Sequence, residues 1–173
     1  MLFFDPLRGW PRSALGLLSV KASAAPSIRR NQAIDLVAVR QLLSEAHLPT
    51  EDLASAPGLH CWVLAAGDEV LGVVGLQCTD GGALVRSLAV APGYRGQGWG
   101  RQLLATLERD ARGLGIQQLV LLTETAQAFF AAQGYAVVDR THVPKELQQT
   151  AEFRSLCPAS AICMTKSLEG VNG

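Results

Sequence analysis

The chain has 173 residues, a formal net charge of zero and 49% hydrophobic residues, which fits one folded domain and excludes a disordered chain. Fifteen basic residues balance fifteen acidic ones, so the overall positive field that binding to a nucleic-acid backbone needs is missing. No apolar run reaches the roughly 18 residues of a membrane-spanning helix, and we expect a soluble, cytoplasmic protein, monomeric or homodimeric, that binds neither nucleic acid nor membrane.

The N-terminal residues 1–27 differ from the rest of the chain. They contain Pro6, Pro11 and Pro26 and show no regular apolar period. We therefore predict a mobile N-terminal extension over residues 1–27 and a single domain over residues 28–168.

Apolar residues at three- and four-residue spacing then predict an amphipathic helix from Ile34 to about Ala46. Its predicted buried face consists of Ile34, Val37, Ala38, Leu42 and Leu43. Pro49 ends this helix, and Thr50 is placed to cap a short second one.

Three strands are predicted next, at residues 60–66, 70–79 and 83–91, joined by the turns at residues 67–69 and Gly81-Gly82. An amphipathic helix carrying Leu103 and Leu107 follows. Residues 119–122 are apolar without alternation, as in a strand covered on both faces. Further predicted elements are a helix at residues 126–133, a strand near Tyr135, a helical piece at residues 144–150 and a last strand at residues 159–166. This order predicts an α/β (α+β) fold, a mixed sheet with helices on both faces.

The sharpest local feature is the glycine-rich turn Arg95-Gly96-Gln97-Gly98-Trp99-Gly100-Arg101, between a predicted strand and a predicted helix. Glycines let the backbone approach a ligand closely, and amides at a helix start bind anions. The flanking arginines suit a pyrophosphate. Three antiparallel strands before the turn exclude a Rossmann fingerprint, and the lack of a lysine excludes a Walker loop.

The segment Leu88-Ala89-Val90-Ala91-Pro92-Gly93-Tyr94, continued by that turn, resembles motif A of the GNAT superfamily of acetyl-CoA-dependent N-acetyltransferases. The resemblance extends through residues 119–123 and 129–135 and covers about residues 28–166. Residues 150–161 and 48–53 further resemble the branch encoded beside arsenic-resistance genes. The resemblance implies a mostly antiparallel sheet of six or seven strands.

The family resemblance also implies acetyl-CoA as co-substrate and no metal. Backbone groups of Leu88, Ala89 and Val90 would pair with the pantetheine arm, and the amides of residues 95–101 would hold the pyrophosphate. The acetyl group would pass directly to a neutral amine in a ternary complex.

One position departs from the family pattern. Where many members carry a tyrosine that protonates the leaving thiolate, this chain has Phe130. The CoA thiol, with a pKa near the 8.5 of free cysteine, is a tolerable leaving group without that acid. Water or Tyr135 could supply the proton.

Five residues are candidates for the general base, namely Glu45, His47, Glu124, His142 and Glu152. From these five we select Glu124, just past the fifth strand, and His142, in the tail, as the predicted catalytic residues. Arg86 stands two residues before Leu88 and is expected on the same side of the strand. We predict that Arg86, with Arg154, binds an anionic group of the substrate, the alternative being an internal ion pair with an acid such as Glu152.

These features predict an N-acetyltransferase for the amine of a small molecule, with an amino acid or an arsenical amino-acid analogue among the candidates. One alternative is a catalytically weak acetyl-CoA-binding module, which the missing tyrosine favours. Another is a protein or peptide N-acetyltransferase. A trivalent-arsenic sensor using Cys157, Cys163 and a further thiol is a weaker idea, because scattered cysteines are more often packing residues.

Overall fold

The computed structural model describes residues 24–168, so residues 1–23 of the predicted extension lie outside the described residues. A seven-stranded sheet forms the centre of the described part, with the strand order β1-β2-β3-β4-β5-β7-β6. The strands are β1 (Ser27–Arg30), β2 (Leu59–Ala66), β3 (Glu69–Thr79), β4 (Gly82–Val90), β5 (Gln118–Thr123), β6 (Ala136–Val137) and β7 (Ile162–Ser167). The helices are α1 (Leu36–Glu45), α2 (Trp99–Gly113), α3 (Gln127–Ala132) and α4 (Lys145–Gln148), followed by a π-helical turn (Glu152–Leu156).

The predicted mixed sheet is confirmed. Strands β2, β3 and β4 form consecutive antiparallel pairs, β4 pairs with β5 in parallel, and the remaining pairs are antiparallel. The parallel pair needs a crossover, and α2 provides it. No helix within residues 24–168 is long and apolar enough to cross a membrane.

Helices cover both faces of the sheet, as the sequence predicted. The larger core joins one face to α2 and α3 through Leu103, Leu107 and Phe130. On the other face, α1 and α4 cover two smaller apolar clusters. Strand β5 is buried on both sides at Leu119, Val120 and Leu121, which explains its unbroken apolar run.

The buried face of α1 differs from the predicted one. Ile34 and Val37 are 83% and 78% exposed, whereas Val39, Leu42 and Leu43 are buried. The cause is Asp35, whose carboxylate is buried and accepts two hydrogen bonds from Arg29, at 2.7 and 2.9 Å. This ion pair lies at the start of the helix and fixes which side faces the sheet. The inward face therefore consists of Asp35, Val39, Leu42 and Leu43, and not of the apolar residues predicted from the spacing.

The short helix predicted after Pro49 is absent. Residues 51–55 form successive turns, held by bonds such as that from the Ser55 amide to the Asp52 carbonyl. The Glu51 side chain accepts a hydrogen bond from the Thr50 amide, a local bond that competes with continued helix formation. These turns bring Asp52 to the sheet, beside β4.

Candidate active site

A cavity of about 760 Å³ opens where β4 and β5 separate. The two strands pair only from Ala83↔Leu119 to Val85↔Leu121, after which β4 continues beside β3 and β5 continues beside β7. From Arg86 to Val90, the edge of β4 that faces β5 has no strand partner within the described residues. An unpaired edge with a cavity beside it can accept an extended ligand as an additional strand.

A β-bulge distorts β4 inside this cavity. The β3–β4 register steps from Gly75↔Arg86 to Val73↔Ala89, so Ser87 and Leu88 together oppose the single residue Val74. Such an insertion reverses which side of the sheet the following residues face.

The glycine-rich turn at residues 95–101, which was predicted to bind an anion and is called the cradle below, lies at the start of α2. Gly98 caps this helix with φ = 84°, in the left-handed region that favours glycine. No hydrogen-bond acceptor is found among residues 24–168 for the amides of Gly96, Gln97 and Gly98. The first amides of a helix also lack intrahelical partners. A Cβ added at Gly98 meets only the Arg101 guanidinium, at 3.7 Å, so the surface of the loop is open.

Arg95 lies between the cradle and the open strand edge. Its Nε donates a hydrogen bond to the Val90 carbonyl oxygen, at 2.8 Å, and its side chain lines the cavity. The predicted pairing of Val90 with a pantetheine arm through this carbonyl would therefore require the Arg95 side chain to exchange its partner.

Arg86 is held by protein carboxylates. Its guanidinium donates to both oxygens of Asp52, each at 2.6 Å, and lies 2.7 Å from Glu152 Oε1. Burial lowers the Arg86 pKa, but the hydrogen bond to Asp52 and the charge of Glu152 outweigh burial and leave that pKa raised. The internal ion pair with Glu152, the alternative predicted for Arg86, is present. A substrate anion would have to displace one of these partners.

The expectation that Arg86 and Leu88 share one side of β4 is wrong, because the bulge at Ser87 separates them. Leu88 packs against the core on the α2 face. Arg86 instead bonds to Gln77 and to Asp52, from the turns after α1.

The two predicted catalytic residues do not meet. Glu124 follows β5 and lines the cavity, whereas His142 ends the short 3-10 turn Arg140–His142 and is outside the cavity lining. Arg154 is exposed on the π-helical turn and also lies outside the lining. His47, one of the other candidate bases, does line the cavity, together with Glu51.

The aromatic residues separate into two roles. Phe130, where the family often has a tyrosine, lines the cavity. Tyr135 lies in the core, and its hydroxyl donates to Glu108 Oε1 at 3.1 Å. Burial and the adjacent Glu108 carboxylate raise the Tyr135 pKa, so this phenol is a poor proton donor and faces a structural partner.

The cysteines are protonated packing residues in this structure. Burial raises the pKa of Cys163 to about 11. Burial and a hydrogen bond to Glu152 raise that of Cys157 to about 12. A metal or metalloid binds the thiolate form, and residues 24–168 contain no group of three or more His, Cys, Asp or Glu side chains placed to hold a metal ion. The arsenic-sensor idea gains no support from this geometry.

Comparison with known proteins finds a family match over the middle of the chain. The family model of the acetyltransferase (GNAT) domain matches residues 57–137, which run from the start of β2 through the glycine-rich turn to β6. The matched segment thus contains both the open edge of β4 and the cradle at α2.

Solved structures of similar fold extend over most of the chain. The crystal structure of N-acetylglutamate synthase from Neisseria gonorrhoeae, complexed with coenzyme A and N-acetyl-glutamate, has a TM-score of 0.71 and 22% identity over 85% of this chain. This chain covers 36% of that enzyme's length. Rv2747 from Mycobacterium tuberculosis, crystallised with CoA, has a TM-score of 0.69 and 25% identity over 83% of this chain and 100% of its own.

A third structure, the ribosomal-protein-S18-alanine N-acetyltransferase from Escherichia coli, has a TM-score of 0.64 and 21% identity over 86% of this chain and 98% of its own. The family match and the shared fold agree with the resemblance seen in the sequence. Residues 57–137 therefore match the GNAT acetyltransferase domain model, and the chain shares the fold of these solved acetyltransferase structures.

Proposed function

We propose that this protein transfers the acetyl group of acetyl-CoA to the amine of a small molecule, and that the acceptor is an amino acid or a close analogue. The observation that carries the proposal is the open edge of β4, which leads from the unpartnered amides at Gly98 into a 760 Å³ cavity. One end of this groove suits a pyrophosphate and the other encloses a reaction space.

Acetyl-CoA would bind with its pyrophosphate on the amides of residues 96–101, because free amides and the positive end of the α2 dipole favour anions. Arg101 lies close enough to Gly98 to add a charged donor. The pantetheine arm would follow β4 from Val90 back toward Ser87. Its thioester then reaches the point where β4 and β5 separate.

The transfer needs no covalent enzyme intermediate. The neutral amine nitrogen attacks the thioester carbon, the new C–N bond forms, and the C–S bond breaks to release the CoA thiolate. The proton lost by the nitrogen passes to a base, for which we propose Glu124, because it lines the cavity at the end of β5. Alignment of the two substrates supplies much of the acceleration.

The acceptor class is inferred from two sources. The cavity has a volume of about 760 Å³ and includes Arg86 in its lining, and Asp52 and Glu152 hold that side chain in place, so the space suits a small molecule. The structurally similar N-acetylglutamate synthase from Neisseria gonorrhoeae was crystallised with coenzyme A and N-acetyl-glutamate. An arsenical amino-acid analogue, suggested by the sequence resemblance, belongs to the same class.

The test is a thiol-release assay with acetyl-CoA and a panel of amino acids, arsenical amino-acid analogues, simple amines and N-terminal peptides, with product mass measured for each. We expect release of CoA and a mass gain of one acetyl group on an amino acid or its analogue. Release only with peptides would overturn the acceptor class. No release with any amine would favour a binding module instead.

Replacement of the proposed base gives the first residue-level prediction. Glu124→Gln should lower kcat by about 10² to 10⁴, the usual contribution of a general base, without changing the affinity for acetyl-CoA. Glu69→Gln, an exposed substitution at the first residue of β3, is the matched control and should behave as wild type. A wild-type kcat for Glu124→Gln, with a large loss for His142→Gln, would move the assignment to His142.

A further inference from the structure

Ser87 combines two unfavourable features in one residue. Its φ is +57°, and His47 is the other non-glycine residue with positive φ within residues 24–168. This backbone conformation is unfavourable for a non-glycine residue, because its Cβ crowds the following carbonyl oxygen. Its Oγ is also buried and has no hydrogen-bond partner among the described residues, although buried hydroxyls are nearly always bonded.

Both features occur beside the cavity. Ser87 and His47 both line it, and Ser87 occupies the bulge where β4 has just separated from β5. Strained backbone and unsatisfied polar groups concentrate at functional sites, where a rigid scaffold maintains them. The Ser87 hydroxyl has no hydrogen bond that fixes its rotamer, so it can rotate about χ1 without loss of a hydrogen bond.

The position of Ser87 along β4 determines what it would contact. In the proposed complex, the pyrophosphate lies beyond the C-terminal end of β4 and the pantetheine arm runs back past Val90 and Leu88. The next residue in that direction is Ser87, and the groove closes at Val85 and Leu121, where the strands pair again. The thioester therefore lies at the level of Ser87.

We propose that the Ser87 hydroxyl is a catalytic residue, which donates a hydrogen bond to the acetyl-CoA thioester as negative charge develops on it. This inference rests on the proposed function. The two aromatic residues considered above do not offer such a donor, because Phe130 carries no hydroxyl and the Tyr135 hydroxyl bonds to Glu108 in the core. The serine forms no covalent bond and loses no proton. The carbonyl electrons move to oxygen as the C–N bond forms, and they return as the thiolate leaves.

The experiment compares Ser87→Ala with Thr165→Ala in the full-length enzyme, with the acceptor found by the panel. The Thr165 hydroxyl already donates to the Leu119 carbonyl, at 2.9 Å, so its removal tests the loss of a satisfied structural bond. We expect Ser87→Ala to lower kcat by about 100-fold, as for loss of one oxyanion donor. Its KM for acetyl-CoA and its affinity for CoA should remain within about threefold of wild type.

Stability separates this role from a structural one. Because the Ser87 hydroxyl has no partner to lose, the melting temperature of Ser87→Ala should equal or exceed that of wild type. Thr165→Ala should melt lower and keep the wild-type kcat. Ser87→Gly also relieves the positive φ, so it should melt higher than Ser87→Ala and show the same loss of kcat.

A kcat within twofold of wild type for Ser87→Ala and Ser87→Gly would overturn this inference and leave the proposed function intact. A lower melting temperature for Ser87→Ala, with kcat reduced only in proportion to the folded fraction, would also overturn it. Absence of acetyl transfer by the wild-type enzyme with every amine would instead overturn the proposed function, and this inference with it.

Discussion

Arg86 shows how a single buried charge connects the parts of the site. One guanidinium, 2% exposed, bonds to Asp52 from the turns after α1 and to Glu152 from the π-helical turn. Both segments border the cavity, so this arginine fixes the separation of its walls. The Cys157 thiol donates to the remaining oxygen of Glu152, at 2.8 Å, and extends the network.

Removal of this arginine should destabilise the fold strongly. Arg86→Leu leaves the buried Glu152 and the half-buried Asp52 without a cation, and breaking a buried pair in this way costs about 3–5 kcal/mol. Urea denaturation measures the loss in free energy of unfolding. Arg154→Leu, an exposed substitution on the π-helical turn, should change that free energy by less than about 0.5 kcal/mol. Equal stability of Arg86→Leu and wild type would contradict the structural role.

Tyr135 is assigned a structural role and no part in protonating the leaving thiolate, and this assignment can also be tested. Tyr135→Phe removes the donor to Glu108 but leaves the Lys166–Glu108 ion pair, at 2.6 Å. We expect a loss of about 1 kcal/mol in the free energy of unfolding and an unchanged kcat. A kcat lowered tenfold or more in a folded Tyr135→Phe variant would reinstate this phenol as the acid for the leaving thiolate.

At the scale of elements, the parts of the site encoded locally were predictable. The glycines at positions 96, 98 and 100 and the following amphipathic run are contiguous in sequence, so the cradle at the start of α2 could be inferred from them. The unbroken apolar run of β5 and the hairpin turns between β2, β3 and β4 were predictable for the same reason.

The parts that depend on distant residues were not predictable. Asp52 and Arg86 lie 34 positions apart, and no local pattern pairs them. The bulge at Ser87 is a property of the β3–β4 register, and a one-residue shift of register reverses the direction of the side chains. The inward turn of α1 depends on the bond between Arg29 and Asp35, which an apolar periodicity does not reveal.

For the whole molecule, the buried cysteine thiols and the buried tyrosine phenol predict a loss of stability at alkaline pH. Burial raises the pKa of Cys61 from 9.0 to about 11, and it raises those of Cys157 and Tyr135 as well. At a pH between the pKa of such a group in the unfolded chain and its higher pKa in the folded chain, the unfolded chain has released a proton that the folded chain retains. Unfolding therefore becomes more favourable as pH rises through this range. The stability that these protonated groups contribute is fully present below about pH 8.

We therefore expect the free energy of unfolding, measured in urea under reducing conditions, to fall as pH rises from 9 toward 11, the unfolded and folded pKa values of Cys61. Cys61→Ala should lie below wild type at pH 8 but show a shallower decline, because one of the titrating groups is gone. A flat profile to pH 11 would contradict the assignment of these thiols as buried and protonated.

The central claim is that the amides at the start of α2 hold the pyrophosphate of acetyl-CoA beside the open edge of β4. Calorimetric titration of acetyl-CoA into wild type, Gly98→Glu and Gly115→Glu tests it most directly. Gly115 has a φ of 77° with no atom within 4 Å of an added Cβ, so its glutamate carries a similar backbone cost and the same charge at the far end of α2. We predict that Gly98→Glu binds acetyl-CoA at least about 100-fold more weakly than wild type, a difference of about 2.7 kcal/mol, whereas Gly115→Glu binds as wild type does. Equal affinity in Gly98→Glu and wild type would contradict the account.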